Sequence, residues 1–370
     1  MKILVTHVPA GSGHEKAAEA ICIALRQLRP EAETILLNGL EGMSSGYQWA
    51  FTQGYLNLIH RFPFLWGMAY HLLDLRGLAW AAYKLHRLSN ASHGKNLEQI
   101  VLRYNPDVFI GTHFFPMEVA SYLKLKGKLS ARLITVITDT MPHNVWISPG
   151  IDAYVVAMDL TKEELIRRGV PPERIHVLGI PIDPKFSRRG DRREIAQRLG
   201  VDWEQFTLLI CSGGFGTGPV EQLMQSLKNI REPLQALIVT GKNTALYHRV
   251  ENLRASFPHS LKVYGFVNNM DELMDLSDLM VTKPGGLSCT EAMAKGLPMV
   301  LVAPIPGQEA RNGRIIERLG AAVMAGPVEQ APALIKKLRA DPARRQRMGE
   351  LGRAASHPDA ALAIARFALG

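Results

Sequence analysis

With 370 residues, the chain is too long for one ordinary core and long enough for two domains. Its 47% hydrophobic and 21% charged content exclude a disordered protein. A net charge of +9 points to an anionic partner (nucleic acid, nucleotide or acidic lipid), and without an RNP-type aromatic motif, zinc finger or helix-turn-helix, nucleic acid falls away.

In chain order, a first apolar run at Lys2–His7 reads as a strand and meets Gly11-Ser12-Gly13-His14, after which a helix begins. The layout is that of a phosphate loop, but neither nucleotide motif fits. A P-loop ends in Gly-Lys-Ser/Thr, and a dinucleotide fingerprint needs a third glycine where Lys16 stands. The apolar run is also too short for a signal peptide. Further strands are expected at Thr34–Leu37, Asp107–Thr112, Leu133–Thr138, Ala153–Ala157 and His176–Leu178, alternating with helical patterns as in a parallel α/β sheet.

Met43 to Leu88 breaks that alternation with three of the five tryptophans (Trp49, Trp66, Trp80) and four tyrosines. His71, Asp74, Arg76 and Lys84 interrupt it, which rules out a transmembrane span. Such an aromatic stripe is either core or, with Trp and Tyr beside Lys and Arg, a segment for the headgroup interface. The stretch "GIPIDPKFSRRGDRRE", rich in Pro, Gly and charge, reads as a linker. A second strand series then runs through "FTLLICSGG", "QALIVTG", "LKVYGF", "DLMVTKPGG", "PMVLVAP" and "AAVMAG". Two open α/β sheets of this kind face each other across a cleft, and ligands bind beyond the carboxyl ends of such strands.

The second half carries the stronger chemical pattern. Gly213, Gly214 and Gly216 follow one strand, and Gly285, Gly286 and Ser288 follow another at a helix start. Small residues there let backbone N–H groups approach a diphosphate, aided by the helix dipole. Glu291, one turn on, either improves the dipole or accepts ribose hydroxyls. Gln308 and Glu309 are suited to a hexose, so the spacing points to a nucleotide-sugar. Cys22, Cys211 and Cys289 are far apart and fit a reducing compartment, with neither zinc nor disulfide framework.

Four motifs together resemble one family: GSGHxxAA at Gly11–Ala18, "VITDTMPHNVW" at Val136–Trp146, "GIPIDPKF" at Gly179–Phe186, and PGG…E…PGQE…N at Pro284–Asn312. The chain resembles the monogalactosyldiacylglycerol synthases and processive diacylglycerol glucosyltransferases, related to the peptidoglycan-precursor N-acetylglucosaminyltransferase. The resemblance implies an α/β GT-B fold of two Rossmann-like domains. Residues 1–183 would bind acceptor and membrane, residues 184–354 the UDP-sugar, and a helix in 355–370 would cross back to the first domain. It also implies diphosphate at Gly213, Gly214, Gly285, Gly286 and Ser288, ribose at Glu291 and uracil at the Val267 backbone. Gln308, Glu309 and Asn312 would hold the donor sugar. Asp139, His143 and Trp146 match the family's TD…H…W pattern, though Thr140 stands where an aromatic is usual.

The implied reaction is inverting transfer of galactose or glucose from a UDP-sugar to diacylglycerol, at an anionic membrane on the cytoplasmic face. Trp49, Trp66 and Trp80 are the lipid-contact candidates. No cofactor is expected, and no Asp-x-Asp is present to clamp a metal on the diphosphate. His14 is expected as general base, aimed across the cleft, with Asp139 or His143 next in line; free imidazole titrates near ~6.5. Three rivals stand beside this reading: an N-acetylglucosamine transferase acting on a polyprenyl-linked precursor, a UDP-sugar epimerase, and a non-catalytic UDP-sugar sensor.

Overall fold

A computed structural model describes residues 1–9, 11–41, 43–74, 95–211, 213–214, 216 and 218–370. They divide into two compact units. The first comprises Met1–Pro184, Ile305–Gln308 and Asp359–Gly370, and the second Lys185–Pro304 and Glu309–Pro358.

The first unit holds β1 (Lys2–His7), β2 (Glu33–Asn38), β3 (Val108–Gly111), β4 (Arg132–Val136), β5 (Ala153–Val156) and β6 (Ile175–Val177). All pairings are parallel, in the order β2-β1-β3-β4-β5-β6. Helices cover both faces, so β3 and β5 are buried along their whole length and read as continuous apolar runs. Helix α1 (Ser12–Leu28) repeats small apolar residues at helical spacing: Ala17, Ala18, Ile21, Cys22 and Leu25 are buried. That stripe shares one core with Ala361, Ile364, Ala365 and Ala368 of the Ala360–Leu369 helix, so the C-terminus belongs to the first unit.

The second unit repeats the plan with β7 (Thr207–Cys211), β8 (Gln235–Val239), β9 (Ser260–Tyr264), β10 (Leu279–Thr282), β11 (Met299–Leu301) and β12 (Ala322–Met324), in the order β12-β11-β10-β7-β8-β9. Both sheets reverse winding direction at one point, between β1 and β3 in the first and between β7 and β10 in the second. Loops leaving the two central strands there part to opposite faces and open a crevice. The Gly11–His14 turn and Thr112–His113 leave the first switch point, and the two glycine loops leave the second.

Three stretches singled out in the sequence take the following local structure. At the end of the linker stretch, Asp191 accepts from the N–H groups of Arg193 and Glu194, caps the Arg192–Leu199 helix, and Gly200 (φ +61°) ends it. The glycines after β7 stand before a helix, Val220–Leu227, which begins after Pro219. In the aromatic insertion, α2 (Ser45–Trp49), a π-turn (Ala50–Gly54), α3 (Tyr55–Arg61) and α4 (Pro63–Leu73) are helical, while residues 75–94, Trp80 among them, lie outside the described residues.

Candidate active site

At the first switch point the backbone fixes His14. The Thr112 carbonyl oxygen lies 2.6 Å from His14 Nδ1 and the Thr138 hydroxyl oxygen 3.2 Å from the same atom. A carbonyl only accepts, so Nδ1 carries the proton and Nε2 is left with the lone pair. The Thr112 hydroxyl donates back to the His14 carbonyl (2.7 Å), tying the end of β3 to the start of α1. Thr138 belongs to the loop after β4, so three strand ends hold one ring. Desolvation by burial, only partly offset by the Thr112 hydrogen bond, lowers the His14 pKa to about 4. The unperturbed value near ~6.5 expected from sequence is therefore corrected downwards.

Two further imidazoles share this place and were missed from sequence. His113 lies against His14 at 4.9 Å between ring centroids, almost perpendicular. It caps the Phe114–Leu125 helix by accepting from the Phe115 N–H through Nδ1. Burial, with the neighbouring His14 and His7, holds His113 well below the usual imidazole range, and burial also lowers His7. A Thr-His pair at a strand end was the available signal, visible once β3 is placed beside β1.

Trp146 is buried, and its ring lies 6.2 Å from His14 and 6.4 Å from His113. It walls the histidines from within and is no membrane-contact residue. His143 uses both ring nitrogens internally: Nδ1 accepts from the Val145 N–H, and Nε2–H donates to the Tyr70 carbonyl (2.9 Å). With no lone pair left it cannot serve as the reserve base. Its place is structural, at the end of α4.

That end of α4 is held firmly. Asp74 takes Arg168 in a two-pronged ion pair (2.5 and 3.2 Å) and accepts from the Asn144 N–H (3.1 Å), while Asn144 Nδ2 donates to the Asp74 carbonyl. A Cβ at Gly67 would come within 2.9 Å of Pro306, and one at Gly307 (φ +97°) within 2.7 Å of the Tyr70 ring. Both positions need glycine for α4 to lie against the 305–308 segment. Gln308, expected with the donor domain, thus groups with the first unit, where its Nε2 donates to Asp139 Oδ1 at 2.5 Å. Asp139 is buried, so this bond orients a carboxylate at the strand end.

Away from that clamp, α4 presents Phe64 (79% exposed), Leu65, Met68 and Leu72 to solvent on one helical stripe. Trp49 is 58% exposed and Trp66 half-buried, so of the two expected lipid contacts among the described residues Trp49 is the more exposed. The described part of the insertion is core on one side and surface on the other.

In the second unit, the loop after β7 needs its glycines: Gly213 (φ +73°) and Gly216 (φ +61°) are left-handed, and a Cβ at Gly216 would meet the Thr240 carbonyl oxygen at 2.1 Å. The Gly214 carbonyl accepts from the Lys242 N–H and the Gly216 carbonyl from Asn243, which fixes the loop's path. After β10, Gly285 caps the ten-residue Gly286–Lys295 helix, and among the described residues no heavy atom beyond its chain neighbours lies within 4 Å of where a Gly285 Cβ would be. An approaching anion finds backbone N–H groups there with no side chain in front. Ser288 and Glu291 are partly exposed on that helix, and Val267 is partly exposed in the turn after β9. Lys283, also missed from sequence, places Nζ 3.8 Å from Glu309 Oε1. Glu309 and buried Asn312 lie on the Gln308–Arg318 helix, one turn apart. The loop before it carries Ala303 at φ +44°, a conformation costly for a residue with a Cβ.

The arrangement defines a class, a GT-B protein with a buried imidazole at the switch point of one sheet and a pair of glycine loops at that of the other. The sequence profile of monogalactosyldiacylglycerol (MGDG) synthase matches residues 14–182, and that of the glycosyltransferase family 28 C-terminal domain matches residues 207–361. A processive diacylglycerol beta-glucosyltransferase of Bacillus cereus is 35% identical over 268 residues, 72% of this chain and 68% of the relative. The enzyme of that name from Bacillus licheniformis is 36% identical over 249 residues, 67% of this chain and 64% of the relative. The chain thus spans just under two-thirds of the length of that relative. Two solved structures share the fold over the full chain. MurG of Acinetobacter baumannii has a TM-score of 0.62 at 15% identity and is 99% covered. Anabaena Alr3699/HepE in complex with UDP-glucose has 0.57 at 15% and is 98% covered. This chain belongs to the monogalactosyldiacylglycerol synthase and processive diacylglycerol glucosyltransferase family.

Proposed function

We propose that the chain is an inverting hexosyltransferase that moves glucose from UDP-glucose to the free hydroxyl of diacylglycerol at a membrane surface. The observation that carries the reading is the His14 tautomer, with Nδ1–H spent on the Thr112 carbonyl and a neutral Nε2. In the reaction, the acceptor oxygen attacks the anomeric carbon and its proton passes to Nε2. The bond from that carbon to the phosphate oxygen breaks, and UDP leaves with the electron pair. Negative charge growing on UDP suits the amides of the Gly213–Gly216 loop and the helix start at Gly285, beside the Lys283 ammonium. Glu291 is assigned to the ribose, and Glu309 with Asn312 to the sugar. Glucose is favoured by the names of the Bacillus relatives, and a UDP-sugar by the ligand of the HepE structure.

The test is incubation with labelled UDP-glucose, UDP-galactose or UDP-N-acetylglucosamine and diacylglycerol vesicles. Glucosyl-diacylglycerol of inverted configuration is the expected product. Transfer of N-acetylglucosamine to a polyprenyl-linked acceptor, or UDP binding without turnover, would replace this reading.

The membrane part of the proposal rests on α4. Burying a large apolar side chain yields roughly 1.5–3 kcal/mol. Phe64→Ser with Leu65→Ser should therefore weaken vesicle binding more than about tenfold, while UDP affinity stays unchanged. Binding should also favour anionic lipid and weaken with salt, given the +9 charge. Equal flotation of wild type and double variant would remove α4 from the docking surface.

A further inference from the structure

We infer that His113 binds the acceptor hydroxyl together with His14, donating a hydrogen bond to the oxygen whose proton His14 removes. The inference rests on the transferase reading above and adds a second imidazole to it.

The two rings are held in opposite tautomers by opposite kinds of backbone partner. His14 Nδ1 faces a carbonyl, so it is the protonated nitrogen, and Nε2 accepts. His113 Nδ1 faces the amide N–H of Phe115 at 3.2 Å, so it is the lone-pair nitrogen, and Nε2 carries the hydrogen. Side by side at 4.9 Å, the pair therefore offers one acceptor and one donor. A hydroxyl group both donates and accepts, and so satisfies both rings at once. A carbonyl or an ether oxygen satisfies only His113.

Neither ring is free to exchange roles. Thr112 connects them, as the residue whose carbonyl receives His14 and whose neighbour in sequence is His113. Its hydroxyl is bonded to the His14 carbonyl and also lies 3.3 Å from the Thr6 carbonyl. Trp146 and Phe114 pack beside His113 at 6.4 and 4.3 Å, which limits ring rotation. Burial keeps His113 neutral, and neutrality preserves its Nδ1 as the helix cap. During transfer the Nε2–H of His113 fixes the attacking oxygen, while the proton goes to His14 Nε2 and its Nδ1–H stays on Thr112. The lone pair that forms the new glycosidic bond is the one left uncommitted.

Two substitutions separate the halves of the His113 ring. His113→Asn keeps an oxygen near Nδ1, preserving the cap, and removes the donor. His113→Gln reaches the Nε2 position with an amide N–H and forfeits the cap. Losing one hydrogen bond to a developing alkoxide should lower kcat/KM for the acceptor roughly 10–100-fold in His113→Asn, with UDP affinity and melting temperature unchanged. His113→Gln should melt lower yet retain more of kcat/KM. The ¹⁵N shifts of the two imidazoles should report Nδ1–H in His14 and Nε2–H in His113, with no substrate present. Wild-type kcat/KM in His113→Asn would overturn the inference. So would a loss matched by lower UDP affinity or stability, or the reverse tautomer in His113. If the wild type glycosylates a different hydroxyl, the diacylglycerol reading fails, and the same variants measured on that hydroxyl still decide the role of His113.

Discussion

Replacing His14 with alanine should lower kcat by about 10²–10⁴-fold while UDP binds nearly as before. His14→Asn should do no better, since an amide can donate to the Thr112 carbonyl but has no basic nitrogen to take a proton. The pH profile carries the sharper test. Because burial lowers the His14 pKa to about 4, kcat/KM of wild type should rise with pH around that value and be level from about 6 to 8. Stability follows the same shift. A histidine whose folded pKa lies below its unfolded value stays neutral while the unfolded chain takes up a proton. Stability is therefore fully present above about 6.5 and declines as pH falls towards the folded value. His7 and His113 are lowered too and act in the same direction. His14→Ala should accordingly unfold less steeply on acidification than wild type, as chemical denaturation at pH 4.5 and 7 would measure. An acid limb near ~6.5 that His14→Ala abolishes would keep His14 as base and overturn only its lowered pKa, whereas full turnover in His14→Asn would remove it from that role.

Lys295→Ala should cost the second unit roughly 3–5 kcal/mol, the usual consequence of leaving one charge of a buried pair alone. Lys295 and Asp275 have side chains only 2% and 7% exposed, with Nζ 2.6 Å from Oδ2. The pair also fastens the start of the second unit. Lys295 Nζ donates to the Arg188 carbonyl, Arg189 donates to the Lys295 carbonyl at 2.9 Å, and the Gly190 N–H donates to Asp275 at 2.9 Å. The melting transition should fall by roughly 6–20 °C for a unit of this size. Adding Asp275→Leu to Lys295→Met should recover most of that loss, since no charge is then stranded. A single variant melting with wild type would show the pair to be solvated and of little weight.

The twelve strands of the described residues lie where short apolar runs stand between turn residues, and both glycine loops follow the strands expected of them. These features are legible because each is set by residues within about ten positions of one another. Gly216 shows the limit. Its glycine is visible in sequence, but the Thr240 carbonyl that forbids a Cβ belongs to another strand's loop. Trp146 could be read as surface or core from its neighbours alone. Packing against His14, His113 and Phe114 places it in the interior.

The same division runs through the site. Glycine spacing, apolar periodicity and the charges near Met43–Leu88 are local chemistry, enough for an α/β chain with an anion-binding second half and an unusual aromatic insertion. The tautomer of His14 is not local, because it depends on a carbonyl 98 residues away. Nor is the sealing of His143, whose Nε2 is consumed 73 residues back at Tyr70, nor the clamp between Asp74 and Arg168, 94 apart. A histidine becomes base, donor or strut according to which of its two nitrogens the fold occupies. Those partners are brought by sheet order and burial, which act only once the chain has closed on itself.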